Sequence, residues 1–403
     1  MRLDRRVATG AIIIGGDYRG LGVARSLGRH GVPAWVVHDD HLVATFSRYV
    51  QRSVKWPTGG EREQIELLCW LAGEQGLAGW TLFPTGDETA ALVARTYDVL
   101  SARFRLTTPP WNVLRYAYDK RLTYQRAAEL GIDHPRTIAS PLRPEWERGA
   151  GGEGISFPVI LKPAWKATLN AFTRAKAWKV EDWATLDVAY REAADLVPAE
   201  TIVIQELIPG GGDRQFSYAA LASDGRPVVE VTARRVRQYP PDFGYFSTFV
   251  ESIDCPEVEE PSRRFLESLR FTGLVELEYK FDARDRTFKL LDVNPRVWGW
   301  HTLGRRVGGD FPYLAWKLSQ GSCVEQGRVP AGHRWVYAGA DALAGVKMMR
   351  DKQMSIGGYL RSIRPGAEDA VFAMDDPLPG ILDMPLALQR RGRKVETASA
   401  SRT

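Results

Sequence analysis

Hydrophobic patterning divides the chain at about residue 108. Ahead of it, short apolar runs alternate with segments of helical period. Residues 11–14 (AIII) form a strand, 15–22 (GGDYRGLG) a turn into a helix through about His30, and 32–38 a second strand ending at Asp39-Asp40. Residues 61–75 place Ile65, Leu68, Leu71 and Ala72 on one helical face, and 80–84 is a further strand. Thr85-Gly86-Asp87-Glu88 then opens a helix towards Leu100, and the α/β unit stops at Thr107-Thr108-Pro109-Pro110.

Beyond that point strands dominate. Asp119-Lys120 opens a helix over 121–130, 144–156 is glycine-rich, and 157–161 is a strong strand leading into Lys162-Pro163. Residues 176–180 read as its partner strand, 181–196 as a helix, and 201–205 as a strand running into Glu206-Leu207-Ile208-Pro209-Gly210. After the turn at 210–213 come strands over 215–222 and 226–235, a long loop at 239–244, and a helix over 257–270. The strictest alternation follows, with Val275, Leu277, Tyr279 and Phe281 interleaved with Glu276, Glu278, Lys280 and Asp282. Residues 289–294 return antiparallel across a polar tip, Arg284-Asp285-Arg286. From about Gly332 the pattern is mixed, and the polar stretch 392–403 is expected to be disordered.

At 403 residues the chain exceeds one comfortable core, and 44% hydrophobic with 26% charged residues is a globular balance. The net charge of +5 is spread out, without a basic block interleaved with aromatics, so no nucleic-acid partner is expected. The basic run at 390–394 reads as a solvated tail. Cys69, Cys255 and Cys323 are far apart and suggest neither a disulfide framework nor a zinc site. The apolar run near the N-terminus is too short for a signal-peptide core, and no run is long enough to span a membrane. A soluble cytoplasmic protein without a membrane partner is therefore expected.

Chemistry concentrates in the hairpin. With Asp285 at its centre, Glu278 faces Asp292 and Glu276 faces Asn294, at Cβ separations of roughly 5 Å. Glu278, Asp292 and Asn294 then converge, and two carboxylates with an amide oxygen suit Mg²⁺. The alternative is a solvated polar face, which the following Pro295-Arg296 and Val-Trp-Gly-Trp-His make less attractive. Lys162 is a second anomaly, since a lysine closing an apolar strand needs an anion. At 15–22, Asp17 stands where a dinucleotide fingerprint has its second glycine, which argues against a nicotinamide site. That loop either holds a small anion on the helix N-terminus or only makes a tight turn. Asp87 and Glu88 fit helix N-terminal acids and substrate contacts equally well. The six histidines are scattered and form no triad, and His301 reads as structural.

Asp119-Lys120 before a helix, Phe-Pro-Val-Ile-Leu-Lys162-Pro, Ile-Gln205-Glu206-Leu-Ile-Pro-Gly, and Glu278 followed by Asp292-Val-Asn294-Pro-Arg296 occur in an order and spacing that resemble the ATP-grasp superfamily. The resemblance covers roughly residues 10–320. Ile-Pro-Gly-Gly-Gly-Asp, Arg-Arg-Val-Arg-Gln-Tyr-Pro-Pro and Asp-Val-Asn-Pro-Arg-Val-Trp-Gly are most similar to its carboxylate–amine ligase branch. The implied fold is α/β, a Rossmann-like pre-ATP-grasp domain (1–108) followed by a two-lobed α+β ATP-grasp domain. Its small lobe with a linker helix would span 109–208, its large lobe with the metal site 209–331, and a C-terminal segment 332–403.

The resemblance further implies that Lys120 and Lys162 bind ATP phosphates, that the backbone of Glu206, Leu207 and Ile208 beside Gln205 holds the adenine edge, and that Asp213 or Gln215 holds the ribose. Glu278, Asp292 and Asn294 would hold Mg²⁺, with Mn²⁺ also compatible. Arg296 would steady the transferred phosphoryl group or the acyl intermediate, assisted by Arg234. The implied reaction joins a small-molecule carboxylate to an amine through an acylphosphate, and a homodimer is compatible with it. The chain departs from the family at Asp292, where most relatives carry glutamate. It also departs after Lys162, where Lys166, Thr168, Asn170 and Thr173 would replace the usual glycines. Residues 164–173 or 237–247 would form the lid. A nucleotide-binding regulatory protein that has kept the fold is the alternative.

Overall fold

The structure, a computed structural model, describes residues 9–139, 157–165, 170–175, 177–240, 246–363 and 366–400. The glycine-rich loop, Lys166, Thr168 and residues 241–245 of the second lid candidate lie outside them.

The N-terminal unit is a parallel sheet of β1 (Ala11–Ile14), β2 (Ala34–His38), β3 (Val50–Lys55), β4 (Thr81–Pro84) and β5 (Arg105–Leu106), in the order β3-β2-β1-β4-β5. Helices α1 (Tyr18–Arg29), α2 (Glu61–Gly73), α3 (Asp87–Arg95) and α4 (Tyr97–Ser101) alternate with the strands. Both faces of β1 are buried, Ile13 against Leu21 and Val36 on one side, Ile12 against Leu68 and Trp80 on the other. That double burial gives the continuous apolar runs by which these strands are read. Strand β3 carries no such run: its Gln51, Arg52 and Ser53 are exposed at the sheet edge, so the pattern does not announce it.

Helices α5 (Trp111–Tyr118) and α6 (Lys120–Glu129) follow, and then the small lobe. Its sheet pairs β6 (Thr137–Ala139), β7 (Val159–Pro163), β8 (Trp178–Val180) and β9 (Ile202–Glu206) antiparallel, in the order β6-β9-β7-β8. The short α7 (Ala171–Arg174) and α8 (Trp183–Leu196) accompany it, with Leu186 and Ala193 of α8 packed on Val159, Leu161 and Ile204.

The large sheet runs β14-β13-β10-β11-β12-β16-β17, with β15 beside β11. In chain order its parts are β10 (Gln215–Ser223), β11 (Arg226–Tyr239), β12 (Phe246–Ser252), α9 (Pro256–Leu269), β13 (Gly273–Asp282), β14 (Thr287–Asn294), α10 (Phe311–Ser319), β15 (Gly327–Arg328), β16 (Arg334–Val336), α11 (Ala338–Arg350), α12 (Ile356–Ser362), β17 (Glu368–Asp369) and α13 (Leu378–Ala400). Val275, Leu277 and Tyr279 lie on one face against Phe265 and Leu266 of α9 and Ala117 and Ala127 of α5 and α6. The linker helices thus brace the large sheet. On its other face, Ala219, Val231 and Ala233 join a core shared with α1 of the N-terminal unit. Gly22 makes that docking possible, because a Cβ there would lie 2.5 Å from His301 Nε2. Among the described residues, no helix is long and apolar enough to cross a membrane.

Two expectations change. The large sheet does not end near 331, since β16 and β17 from the C-terminal segment extend it. The stretch expected to be disordered continues α13 as far as Ala400, in keeping with its share of strong helix formers such as Lys394, Glu396 and Ala398.

The C-terminal helices are tied to the sheet by Arg237, whose Nε and Nη2 donate to Asp341 at 2.9 and 2.7 Å while Nη1 donates to Ser362 Oγ at 2.7 Å. Both members of this pair are fully buried, and Thr248 and Tyr359 also donate to Asp341. Removing one partner of such a pair strands a buried charge and costs roughly 3–5 kcal/mol. Asp341→Ala is therefore expected to release α11 and α12 from the sheet. Hydrogen exchange would report this as lost protection over 338–362, with the N-terminal sheet unchanged.

Candidate functional site

The site begins with the register of β13 and β14. Glu276 pairs with Asn294 and Glu278 with Asp292, as the hairpin pattern predicts, but the route differs from a simple centre at Asp285. Nearer the tip the pairs are Tyr279 with Leu290 and Asp282 with Thr287, and the register shifts between Glu278 and Tyr279. Leu291 is the extra residue, a β-bulge. Without it Asp292 would turn to the α9 face, because side-chain direction has a period of two. The bulge is held from outside the sheet. Tyr124 Oη of α6 donates to Leu291 O at 2.6 Å, and Leu290 N donates to Asp133 O at 2.8 Å.

Three cations meet the oxygen-bearing side chains on this face. Lys120 Nζ lies 2.9 Å from Asp292 Oδ1, Arg235 Nη2 3.2 Å from Glu278 Oε2, and Arg296 Nη2 3.0 Å from Asn294 Oδ1. Burial alone would lower the Lys120 pKa, but the Asp292 carboxylate outweighs it and the net shift is upward. Arg234, expected to assist, is not in the site. It lies on the opposite face of β11, exposed, with Nη2 3.4 Å from Glu251. Its neighbour Arg235 takes that place. Alternation along Val231, Ala233 and Arg235 is the signal that would have identified it.

Glu276 is a further acid on the same face, at the foot of the site. It is buried, accepts from Trp300 Nε1 at 2.8 Å, and shares the Asn294 amide NH₂ with Glu278 at 3.1 and 3.0 Å. Burial, and then the Glu278 charge, push its pKa up to about 7. Such crowding of carboxyl groups favours a cation. Among the described residues no group of three or more His, Cys, Asp and Glu is disposed to hold a metal by itself. The donor set nevertheless suits Mg²⁺, which binds through one or two carboxylates with substrate phosphates and water completing its shell. Glu278 and Asp292 are the acids open to the cleft, with side chains 21% and 34% exposed. Asn294 would present its oxygen there after a half-turn of its amide.

On the small-lobe side, Lys162 is buried on β7, with Nζ 2.8 Å from Tyr124 Oη and over that ring. Gln205 shares its sheet face and donates to Thr137 Oγ1 at 2.7 Å. The Glu206 carboxylate is occupied by Arg136 N, Lys289 and Arg284. Of the backbone groups expected at the adenine edge, Glu206 N donates to Arg136 O, Leu207 N donates to Pro158 O at 3.1 Å, and Ile208 O accepts from Lys280 at 2.8 Å. Asp213 is solvent-exposed beside Arg214, whereas the Gln215 amide oxygen is bound by Arg235. Sequence reasoning passes over Lys280, which also reaches Gly210 O at 2.7 Å and so clasps the crossing between the lobes. Thr173 is likewise occupied, capping α7 with Asn170.

The N-terminal unit closes the remaining side. At the turn 15–22 the helix N-terminus considered for an anion is capped from within the chain, the Asp17 carboxylate accepting from Arg19 N and Gly20 N and pairing with the Arg19 guanidinium. Asp87, at the start of α3, accepts from Arg296 Nε at 2.6 Å and so ties this unit to the hairpin. His301 is buried, with Nδ1 2.8 Å from Trp298 O, and burial lowers its pKa to about 4. It packs as a neutral ring.

A parallel N-terminal sheet, a small antiparallel lobe presenting a lysine, and a larger sheet presenting oxygen ligands together make the fold shared with ATP-grasp proteins. More particularly, the chain is similar to D-aspartate ligase of Enterococcus faecium, being 23% identical over 305 residues that cover 71% of this chain and 70% of that protein. No protein-family model matches the sequence. Among solved structures it resembles L-amino acid ligase from Bacillus licheniformis, with a TM-score of 0.57 and 16% identity over 77% of this chain and 74% of that one. N5-carboxyaminoimidazole synthetase from Staphylococcus aureus complexed with ADP gives a TM-score of 0.62 and 12% identity, over 90% and 91% of the two chains.

Two outcomes test this geometry. Tyr124→Phe removes the donor to a part-buried carbonyl at the bulge and is expected to cost about 0.5–1.5 kcal/mol in denaturant unfolding. It should also deprotect the amides of β14 more than those of β10. For His301, the folded pKa of about 4 lies below the ordinary 6.5. Its contribution to stability is therefore complete above 6.5 and is lost as pH falls to 4, by about 3 kcal/mol in all. His301→Asn should flatten that part of the stability–pH profile.

Proposed function

We propose that the chain is an ATP- and Mg²⁺-dependent ligase that joins a small-molecule carboxylate to an amine, releasing ADP and phosphate. One observation carries this reading: Glu278 and Asp292 face the cleft among Lys120, Arg235 and Arg296, while Lys162 sits on the facing lobe, linked to them through Tyr124. Kinship with D-aspartate ligase and a fold shared with L-amino acid ligase support it.

In this reading Lys120 and Lys162 hold the ATP phosphates from two sides. The strand end at Gln205–Ile208 carries the base, and the ribose lies towards Asp213 or Gln215. Mg²⁺, or Mn²⁺ in its place, would be held by Glu278, Asp292 and Asn294 and would supply charge neutralisation at the phosphates. The substrate carboxylate oxygen attacks the γ-phosphorus as the bond to ADP breaks, giving an acylphosphate. The amine nitrogen then attacks the acyl carbon, inorganic phosphate leaves, and the nitrogen loses its proton. Arg296, fixed by Asp87 and Asn294, and Arg235 stabilise charge on the phosphoryl oxygens. No protein nucleophile is needed, and the catalytic contribution is positioning and electrostatics.

ADP release measured with pooled acids and amines tests the reading, with product mass confirming an amide. Glu278→Gln and Asp292→Asn should each lower turnover by about 100-fold or more. Arg235→Leu should cost a similar factor, whereas Arg234→Leu should stay within about 2-fold of the parent, as expected for a side chain outside the site. Tight ATP binding without turnover across a broad panel would instead favour a regulatory nucleotide-binding protein.

A further inference from the structure

The first turn of α1 meets the segment that leaves the hairpin. Tyr18 Oη stands over Gly299, where a Cβ would lie 2.9 Å from it. That glycine follows Arg296 by three positions and precedes Trp300, whose indole donates to Glu276 at 2.8 Å. The phenol thus reaches the edge of the reaction centre from the N-terminal unit. Its ring is fixed by Tyr337 and Trp335, at centroid separations of 5.0 and 6.2 Å. Among the described residues, however, its hydroxyl forms no hydrogen bond. Phenylalanine would serve the packing equally well. A ring held in place with an unmatched polar tip is preorganised for a ligand, since little further order is lost on binding.

The groups around the hydroxyl define what it can hold. Asp17 accepts from Nε and Nη2 of Arg19 at 2.8 and 2.6 Å, and Asp87 from Nε of Arg296 at 2.6 Å. These pairs are neutral as pairs, so selection comes from unmatched donors and not from net charge. Arg19 Nη1 donates to no described residue, and the guanidinium groups of Arg19 and Arg296 both act on the phenol. Burial, ahead of every neighbouring charge, pushes the Tyr18 pKa up to about 12, which keeps the phenol a donor at neutral pH. The backbone N–H groups of Arg19 and Gly20 are already taken by Asp17. Side-chain donors therefore face the space above Gly299, and they suit a group that only accepts, such as a carboxylate.

We propose that Tyr18 binds the acid substrate, its phenol donating a hydrogen bond to a carboxylate oxygen and setting that group against Arg296, with Arg19 as a second donor. Gly299 is the position that leaves room for the carboxylate beside the phenol. The assignment rests on the ligase reading for the role of the carboxylate as substrate, while its recognition is chemistry of the donors.

The test is made on the full chain with ADP and Mg²⁺ present. The probes are acetate, succinate and L-alanine, each titrated against its primary amide by tryptophan fluorescence, since Trp335 packs beside Tyr18. At least one carboxylate is expected to bind about 10-fold or more tightly than its amide, and Tyr18→Phe should weaken that binding about 10- to 100-fold. The unfolding midpoint and the ADP affinity of this variant should stay at the parent values, because the lost hydroxyl bonds no described residue. Gly299→Ala, which crowds Oη, should weaken the same carboxylate. In turnover with an acid that supports ADP release, Tyr18→Phe should raise KM for the acid by about 10-fold or more and leave KM for ATP unchanged. No carboxylate preference in the parent, or an undiminished preference in Tyr18→Phe, overturns the proposal. Ligation by Tyr18→Phe at the parent KM for the acid would sink the Tyr18 assignment and leave the ligase standing. Carboxylate binding that depends on Tyr18, in a parent protein that releases no ADP with any acid and amine, would remove the ligase reading and leave the binding assignment intact.

Discussion

The structure depends on one extra residue. Leu291 carries no functional group into the site, yet its bulge decides which face of the large sheet receives Asp292. Nothing in the hairpin alone obliges the bulge to form. It is maintained by Tyr124 donating to Leu291 O and by Asp133 O accepting from Leu290 N, both from the linker region after the first unit. Tyr124 also accepts from Lys162 of the small lobe. A backbone irregularity, a linker helix and the small-lobe lysine are thus a single hydrogen-bonded chain.

The same logic joins the N-terminal unit to the hairpin. α1 packs on the large sheet where Gly22 allows His301 to approach, and Asp87 holds the guanidinium of Arg296 at 2.6 Å. The C-terminal segment closes the circuit from the other end. Asp376 accepts from Arg25 Nε at 2.9 Å and from Ser47 Oγ at 2.7 Å, in a buried position on the N-terminal unit. The site is therefore framed by contacts that cross between units, and its geometry belongs to their assembly.

Much of this was legible in the pattern of residues. The alternation over 273–282 and the oxygen ligands of the hairpin were visible because one sheet face is apolar and the other is not. Their pairing was visible too, although a four-residue tip with a bulge replaces a centre at Asp285. Strand β3 was illegible because its exposed edge residues alternate no apolar face. Arg235 was missed in favour of Arg234 although parity distinguishes them, which shows that a motif gives a neighbourhood and periodicity gives the residue. Lys280 and Tyr124 act through partners far away in the chain, and no local pattern encodes such contacts. The Asp17 carboxylate filling the turn at 15–22 is local, but the same Gly-Gly-Asp turn is compatible with an empty N-terminus.

The charges of the site explain why its two expected ligands would enter together. Without them, Asp292 is matched by Lys120, Glu278 by Arg235, and the Asn294 oxygen by Arg296. A triphosphate arriving alone would draw the cations towards itself and leave carboxylates crowded where Glu276 is already pushed up to about 7 by burial and by Glu278. A divalent cation arriving alone would compete with Lys120 and Arg235 for the same acids. Together, phosphate would take the lysine and arginines while the metal would take the acids, each charge exchanging one partner for another. On the ligase reading, the internal ion pairs would thus make the cleft selective for the metal–nucleotide complex over either component.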